Sequence, residues 1–454
     1  MYDIKSILES QRKFYRSNKT KDLNFRLDSL NKLKSIIAEN EKSISNALKN
    51  DLGKSQFESY TTEIGITLSE ISFTTKYLSS WIKPKKVKTP AAAFKAKSYI
   101  YPEPYGNTLI IAPWNYPFQL SIAPLIGSIA AGNTAIIKPS SSSVHTGKVL
   151  EQLINENFPS SYISVITGEE GKFLLDEKFD YIFYTGSVRI GKMVMEKAAK
   201  HLTPVTLELG GKSPCIVDNE GDFELFAKRI VWGKFLNVGQ TCVAPDYLLV
   251  NKNIKDELIK HMITYIKQYY GKNPQENGEY GRIVNEKQFN RLIKLINSSE
   301  IIYGGKYDKE DLYISPTLIG NASWEDPIME DEIFGPLFPI LEYDTLDEVI
   351  EMVNNRPKPL ALYFFSTNNE KIEKIIGHTS YGGGCINDTI MHLSNPHLPF
   401  GGVGNSGMGG YHGKGSFDTF THYKSVLKRS TSFDPDFRYP PYGDKIKLVK
   451  KILK

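Results

Sequence analysis

The chain has 454 residues, of which 40% are hydrophobic and 24% are charged, and its formal net charge is +5. These proportions are ordinary for a globular protein, and the length exceeds that at which one core usually stops growing, so two domains are expected. So mild a charge, with no basic block before the C-terminal tail, argues against nucleic acid as a partner.

The cysteines and the apolar runs indicate the cellular compartment of the protein. Cys215, Cys242 and Cys385 lie far apart and form neither a CxxC pair nor an even disulfide set, so a reducing cytoplasm is predicted. The N-terminus is polar where a signal peptide would need an apolar core. The longest apolar region, 118–131, is broken by Pro124 and is shorter than the roughly 20 residues that cross a bilayer. It is predicted to be a buried helix.

Two helical patterns come first in the chain. Apolar residues recur at helical spacing from residue 22 to about 54, and again from about 61 to 81. The next segment, 82–90, has too many prolines and lysines for a helix and is predicted to be an extended connector or an edge strand.

Short apolar runs then alternate with helix-length patterns. The first series of predicted strands is 109–111, 135–137, 163–166, 181–184 and 205–207. The second is 215–217, 247–250, 337–341 and 361–365, separated by helical patterns at 224–236, 256–270 and 346–354. This alternation predicts two α/β domains with parallel sheets whose ligands sit beyond the carboxyl ends of the strands. The glycine-dense region 382–415 is predicted to be a long functional loop or a disordered one.

A Gly-Ser turn follows the strand at 181–184. The sequence from Gly186 to Met193 matches the phosphate loop of NTPases except at its last position, where Met193 replaces the hydroxyl that holds magnesium. An NTPase is therefore a competing interpretation. A strand, this turn and a helix that begins near Ser187 still offer backbone N–H groups to a pyrophosphate. The standard G-x-G-x-x-G fingerprint follows none of the strands.

Three more residues are candidates by position. Cys242 follows an amphipathic helix on a glycine-bearing bend, which suits a nucleophile, although a lone cysteine is more often a core residue. Lys138 ends a predicted strand, where it would reach a ribose hydroxyl or a phosphate, although most such lysines are solvated. Glu208 also ends a strand, and in an apolar setting near a thiol it would have a raised pKa and serve as a general base, although most such glutamates lie on the surface.

Six motifs occur along the chain in a characteristic order. They are Pro113-Trp114-Asn115-Tyr116-Pro117, Lys138-Pro139-Ser140, Thr185-Gly186-Ser187, Glu208-Leu209-Gly210-Gly211-Lys212, Gly239-Gln240-Thr241-Cys242 and Glu332-Ile333-Phe334-Gly335-Pro336. Together they resemble the motif set of the aldehyde dehydrogenase superfamily. Asn387-Asp388-Thr389, the glycine-rich stretch 399–409 and Tyr423-Lys424 resemble the class 3 branch. The resemblance covers nearly the whole chain and implies oxidation of aldehydes to carboxylic acids with NAD or NADP as cofactor.

The resemblance also implies an architecture. It is an α/β fold with a Rossmann-like cofactor-binding domain, a second α/β catalytic domain and a small oligomerisation element. The corresponding segments are 1–82 with 101–208 for the first domain, 209–420 for the second, 83–100 with 421–435 for the oligomerisation element, and 436–454 for a basic tail. A homodimer is expected.

The same resemblance implies catalytic roles. Cys242 attacks the aldehyde carbon as a thiolate, and the Asn115 side-chain amide with the backbone N–H of Cys242 holds the oxyanion. Glu208 activates the water that hydrolyses the thioester. The implied cofactor-binding residues are Lys138, Ser140, Gly186, Ser187, Glu332 and Phe334. Tyr116, Trp232 and His392 are candidates for an aldehyde tunnel, although aromatic residues near a site more often pack. No metal ligand is assigned.

One departure from the family pattern concerns the cofactor. Relatives commonly carry a glutamate after Lys138-Pro139-Ser140 that takes the ribose 2′-hydroxyl and repels a 2′-phosphate, whereas this chain has Ser141. Acceptance of both NAD and NADP is therefore predicted.

The C-terminal segment 443–454 has a helical pattern of its own. Ile446, Val449 and Leu453 share one face, and five lysines lie elsewhere in the segment. This pattern is typical of a membrane-surface helix. Because some class 3 relatives attach to membranes through their C-termini and oxidise long-chain aldehydes, peripheral contact at the inner membrane surface is predicted, with apolar medium- to long-chain or aromatic substrates. A helix docked on the protein, or a frayed end, is the alternative.

Two further functions compete. A CoA-acylating aldehyde dehydrogenase would pass the acyl group to CoA rather than water, and Glu208 argues against it. A binding or scaffold protein on the same fold would be expected to lack Cys242 or Glu208, and both are present.

Overall fold

The computed structural model describes residues 3–168, 170–432, 434 and 436–452. Its α-helices, in chain order, are α1 (Ile4–Arg16), α2 (Leu23–Glu39), α3 (Glu41–Leu52), α4 (Gln56–Ser59), α5 (Gly65–Trp81), α6 (Gln119–Ala131), α7 (Val144–Asn155), α8 (Val188–Ala199), α9 (Phe223–Phe235), α10 (Lys255–Tyr270), α11 (Glu286–Asn297), α12 (Pro327–Glu330), α13 (Leu346–Asn354), α14 (Asn369–His378), α15 (Lys414–Thr419) and α16 (Ile446–Ile452). None of these helices is long and apolar enough to cross a membrane.

The strands were predicted in part. In chain order they are β1 (Lys85–Val87), β2 (Ala96–Pro104), β3 (Asn107–Ile111), β4 (Thr134–Lys138), β5 (Ile163–Val165), β6 (Tyr181–Thr185), β7 (Val205–Glu208), β8 (Pro214–Val217), β9 (Tyr247–Asn251), β10 (Glu300–Tyr303), β11 (Tyr307–Asp308), β12 (Tyr313–Ile314), β13 (Thr317–Gly320), β14 (Leu337–Tyr343), β15 (Ala361–Phe365), β16 (Gly383–Ile386), β17 (Gly407–Met408) and β18 (Thr421–Arg429). All nine predicted strands are present.

The first sheet has the order β17-β7-β6-β3-β4-β5. Strands β3 to β7 run parallel, and β17 closes one edge antiparallel to β7. The chain order reverses between β3 and β6, and such a switch point is where ligands bind in open α/β sheets. The apolar region predicted to be a buried helix forms α6, all of whose residues are buried.

The second sheet has the order β10-β13-β14-β9-β8-β15-β16 and is parallel apart from β10. The region predicted to be a loop contains β17 and the first two residues of α15, so that prediction is wrong at 407–408 and 414–415, and it is also wrong at 383–386, which form β16. Its glycines carry no strand propensity. Glycine is nevertheless required at Gly384, because an added Cβ would lie 2.0 Å from the Leu362 carbonyl oxygen of β15.

A third sheet, β1-β2-β18, is antiparallel, with β1 as the edge strand predicted within 82–90. The domain limits given above stay a prediction. The single helix predicted over 22–54 is two helices, α2 and α3, because the chain bends at Asn40. The Asn40 side chain donates a hydrogen bond of 2.8 Å to the Ile36 carbonyl and so satisfies part of the end of α2.

The C-terminal segment contains α16, a helix of which Ile446 is 56% exposed. Leu453, assigned to its apolar face, lies outside the described residues.

Candidate active site

A cavity of about 650 Å³ brings several predicted residues together. Cys242, Glu208, Tyr116 and Trp232 lie in its wall, together with aliphatic and aromatic side chains that include Phe57, Ile66, Leu120, Leu236, Tyr269, Tyr270, Ile390, Phe400 and Tyr411. The wall is thus mostly apolar, and its reactive groups include the thiol of Cys242 and the carboxyls of Glu58, Glu208 and Glu279.

His392, the third tunnel candidate, is not among the described residues that line this cavity. Its Nδ1 lies 3.4 Å from Cys385 Sγ, and burial lowers the pKa of the imidazole to about 4. His392 therefore packs as a neutral ring beside β16, and His412 lines the cavity instead.

A tight backbone turn carries Cys242 to the cavity. After α9 the backbone of Asn237 (φ 51°) and Val238 (φ 57°) enters the left-handed region, followed by Gly239 (φ 71°). Non-glycine residues in that region cost roughly 1–3 kcal/mol each and persist only where the surroundings fix them. A Cβ on Gly239 would lie 2.3 Å from the Gly335 carbonyl oxygen, so this position has room only for glycine.

Gln240 fixes that turn. Its side-chain amide donates to the carbonyls of Asn237 (3.1 Å) and Arg282 (3.0 Å), and its side-chain oxygen accepts from the Val284 N–H (3.0 Å). These three bonds explain why a buried glutamine precedes the cysteine by two residues, because each would be lost with an apolar side chain.

The Cys242 thiol is neutral at rest. Burial, with smaller contributions from Glu332 and Glu208, raises its pKa to about 12, while the backbone N–H groups of Cys242 and Val243 oppose that shift. Burial and two nearby carboxyls thus discourage ionisation of this thiol.

Glu208 ends β7 and is 2% exposed. Within the part of the chain that the structure describes, neither of its carboxyl oxygens has a hydrogen-bond partner. Burial raises its pKa well above the usual range. Gly401 lies against this carboxyl, since a Cβ there would lie 3.2 Å from Glu208 Oε1, although its closest contact would be the Gly409 carbonyl oxygen at 2.3 Å. A carboxyl in this setting is a stronger base once it is ionised.

Asn115 lies in the turn after β3 and is buried. Its side-chain Nδ2 donates to the Gln240 carbonyl at 3.0 Å, which leaves one N–H of the amide for another acceptor. Its own carbonyl accepts from Lys54 Nζ (3.0 Å) and Asn237 Nδ2 (2.9 Å). The backbone carbonyl and the side-chain amide of Asn115 are therefore both hydrogen-bonded, and the amide bonds to the turn that carries Cys242.

The residues predicted to hold the adenosine and the pyrophosphate lie at or just after the carboxyl ends of β4 and β6. Lys138 ends β4, and Ser140 Oγ accepts from the Ser142 N–H at 3.2 Å. Gly186 has φ 156°, and a Cβ there would lie 2.3 Å from the Tyr184 hydroxyl. Ser187 precedes α8, whose first N–H groups lack intrahelical partners. A bare turn before a helix N-terminus fits a dinucleotide pyrophosphate.

Glu332 contacts the segment that follows β7, and Phe334 contacts the turn that follows β3. Glu332 packs so closely on Gly210 that a Cβ there would lie 2.1 Å from a carboxyl oxygen. Burial and the charge of Asp246 raise its pKa to about 8. Phe334, at φ 50°, contacts the Trp114 ring edge-to-face at 5.2 Å.

Sequence reasoning missed three buried charged residues around the site. Lys54 and Glu63 form an ion pair in which both side chains are fully buried. Glu58 lines the cavity, and burial raises its pKa to about 7. Charged residues at the flanks of helical patterns are ordinarily exposed, so nothing in the sequence marked these.

Known proteins match the chain over most of its length. The family model described as the aldehyde dehydrogenase family matches residues 2–426. The chain is 51% identical to 4,4'-diaponeurosporen-aldehyde dehydrogenase of Staphylococcus aureus, with 97% of each chain covered. It is 47% identical to a Mus musculus protein named aldehyde dehydrogenase, dimeric NADP-preferring, with 97% of this chain and 98% of that one covered.

Solved structures agree with these matches. The substrate-bound state of Staphylococcus aureus AldH has a TM-score of 0.98 at 50% identity and covers 100% of both chains. An NAD-dependent aldehyde dehydrogenase from Sinorhizobium meliloti has a TM-score of 0.88 at 27% identity, with 96% of this chain and 88% of that one covered. The chain therefore belongs to the aldehyde dehydrogenase family and is an NAD(P)-dependent enzyme that oxidises aldehydes.

Proposed function

We propose that the protein oxidises apolar aldehydes, medium- to long-chain or aromatic, to carboxylic acids. The observation that carries this proposal is the cavity of about 650 Å³, whose wall is mostly aliphatic and aromatic and includes Cys242 and Glu208. Each methylene buried against such a wall contributes about 0.8 kcal/mol. An apolar chain gains most from this wall, and a charged chain loses its hydration there.

The chemistry begins at Cys242. As a thiolate it forms a C–S bond to the aldehyde carbon, and the carbonyl electrons move to oxygen. The free N–H of Asn115 and the backbone N–H of Cys242 stabilise the resulting oxyanion. NAD(P)+, when bound, would accept the hydride that leaves the former aldehyde carbon as the oxyanion collapses, and a thioester to Cys242 would remain. Glu208 then takes a proton from a water molecule that attacks the thioester carbon, the C–S bond breaks, and the carboxylic acid leaves.

Six residues are proposed to hold the cofactor. Lys138 and Ser140 bind the adenosine ribose, Gly186 and Ser187 the pyrophosphate, and Glu332 and Phe334 the nicotinamide ribose. The absent Cβ of Gly186 and the N-terminus of α8 support the pyrophosphate assignment.

A series of straight-chain aldehydes tests the substrate class. We expect kcat/KM, followed by NAD(P)H absorbance, to rise about fourfold per added methylene until the chain fills the cavity. Aldehydes of equal length that end in a carboxylate serve as controls and should be poor substrates. A flat or falling series would contradict an apolar specificity.

The exposed Ser141 bears on cofactor selection. We expect the unmodified enzyme to use both NAD and NADP, because no carboxylate at this position repels a 2′-phosphate. Ser141→Glu should lower kcat/KM for NADP by at least about tenfold and leave that for NAD nearly unchanged, because it places like charges side by side. A strong preference of the unmodified enzyme for NAD would refute this argument.

A homodimer is proposed through the element 83–100 with 421–435. Strand β18 pairs with β2 along nine residues, and it ends the order β1-β2-β18, so its outer edge is available to a second copy. Light scattering should give about twice the monomer mass of 51.3 kDa. A monomer at micromolar concentration would exclude this arrangement.

The basic tail is proposed to contact an anionic membrane surface from the cytoplasmic side. Ile446, Lys447, Lys450 and Lys451 are exposed on α16, and a basic amphipathic helix binds such surfaces through both its charge and its apolar face. We expect the full-length chain to float with vesicles that contain anionic lipid, and a truncation after Tyr442 to stay in the soluble fraction. Equal flotation of the two proteins would rule the proposal out.

A further inference from the structure

A buried ion pair holds both ends of the turn that carries Asn115. Lys54 Nζ donates to the Asn115 carbonyl at 3.0 Å, and its partner is Glu63. The other oxygen of Glu63 accepts from the Phe118 N–H at 2.8 Å and the Gln119 N–H at 3.2 Å, at the start of α6. One cation and one anion therefore close a single turn from its two sides.

Local structure delivers both charges to this point. Lys54 follows Gly53, which ends α3 at φ 67° and packs against Arg282. Glu63 lies in a π-helical turn, Tyr60–Ile64, between α4 and α5. π-Helical turns are rare in proteins, and many of those that occur lie at functional sites.

Stability alone does not account for the pair. Removing two charges from water costs free energy that well-packed apolar residues would not incur, so a buried pair is weak evidence for stability and better evidence for a fixed geometry. Besides pairing with each other, the Lys54 and Glu63 side chains both form hydrogen bonds with the backbone of the segment 115–119. Lys54 Nζ also lies 4.0 Å from the centre of the Tyr116 ring, which is part of the cavity wall.

We propose that Lys54 and Glu63 are positioning residues that set the side-chain amide of Asn115 for the oxyanion. The inference rests on the proposed role of Asn115. The Asn115 carbonyl is held by Lys54 and Asn237 while its amide is held by the Gln240 carbonyl. Without Lys54 one of these three ties is lost, and a displacement of about 1 Å at a catalytic group costs about 100-fold in rate.

A double-mutant cycle tests the coupling. Asn115→Ala should lower the single-turnover rate of NAD(P)H formation by about 100- to 1,000-fold. Lys54→Met should lower it by about 10- to 100-fold with the aldehyde KM changed less than about threefold, and Lys54→Arg should recover part of the loss. In the Asn115→Ala background, Lys54→Met should cost nothing further.

Each other outcome of the cycle has one meaning. If the two losses multiply in the double variant, Lys54 acts elsewhere and the positioning role is wrong. If Asn115→Ala keeps the full rate, the proposed oxyanion role fails, and this result is distinct from a failure of coupling. If Lys54→Met does not fold, Glu63→Gln, which keeps an acceptor oxygen but loses the charge, enters the same cycle and is judged by the same criterion.

A matched control separates positioning from general destabilisation. Lys371 forms a 2.9 Å pair with Asp218, whose side chain is 3% exposed, and neither residue lines the cavity. Lys371→Met should lower the melting temperature without changing the single-turnover rate. The alkylation rate of Cys242, read by peptide mass spectrometry, should be the same in Lys54→Met as in the unmodified enzyme. A changed alkylation rate would show that the pair acts on the thiol and would overturn the inference.

Discussion

Cys242→Ser is expected to abolish aldehyde oxidation while leaving cofactor binding nearly unchanged. The site already raises the pKa of the thiol to about 12, and a serine hydroxyl ionises still less readily, so no adequate nucleophile remains. We expect kcat to fall by at least about 10⁴-fold, the scale seen when a nucleophile is removed. NAD(P)H absorbance measures the loss, and fluorescence titration measures cofactor affinity.

Cys385→Ser is the matched control for this variant. Cys385 is also half-buried, but it lies beside His392 on β16 and is not part of the described cavity wall. Its replacement should leave turnover within about twofold of the unmodified enzyme. Retained turnover in Cys242→Ser would overturn the proposed mechanism.

Glu208→Gln is expected to separate the two halves of the reaction. Acylation should still give a burst of about one NAD(P)H per site, while steady-state turnover should fall by roughly 10²–10⁴-fold because no base activates the water. In the unmodified enzyme, the hydrolysis rate should rise with pH. A carboxyl with a raised pKa is protonated below that pKa and cannot accept a proton, and it becomes a base only as pH increases through it. The variant should lose this rise.

Glu70→Gln provides the control for a buried carboxyl. Burial also raises the pKa of Glu70, but its carboxyl accepts the Gly413 N–H at 2.7 Å, and Glu70 does not line the cavity that contains Glu208. We expect its turnover and pH profile to be near those of the unmodified enzyme. If Glu208→Gln keeps full steady-state turnover, water activation by Glu208 is refuted. An acyl-CoA product in the presence of CoA would favour the CoA-acylating alternative.

Much of the fold was predictable because its two main sheets are built from parallel strands buried on both faces. Such strands appear in a sequence as short continuous apolar runs, as 109–111 and 247–250 do. Strands β2 and β18 lack that signature because their residues are mostly exposed or half-buried, and they pair over more than 300 positions of sequence. Strand β16 was missed because it opens with glycines, which have low strand propensity and are present here for close packing against β15.

Most of the residues that were correctly predicted to lie together belong to a motif, and Trp232 is an exception that also lies in the cavity wall. Cys242, Glu208 and Tyr116 do lie in one cavity wall, and Asn115 bonds the turn that carries Cys242. Lys54 contacts Asn115 across 61 positions of sequence, and its importance depends on that contact rather than on any local pattern. Long-range polar contacts of this kind leave no periodicity behind them.

The composition of the cavity wall has an evolutionary consequence. Phe57 and Ile66 come from the N-terminal helical segment, whereas Cys242 and Glu208 come from other parts of the chain. Phe57 is 74% exposed, so its replacement disturbs little of the core. Descendants of this gene can therefore vary the cavity wall at Phe57 and Ile66 while inheriting Glu63, Cys242 and Glu208 unchanged.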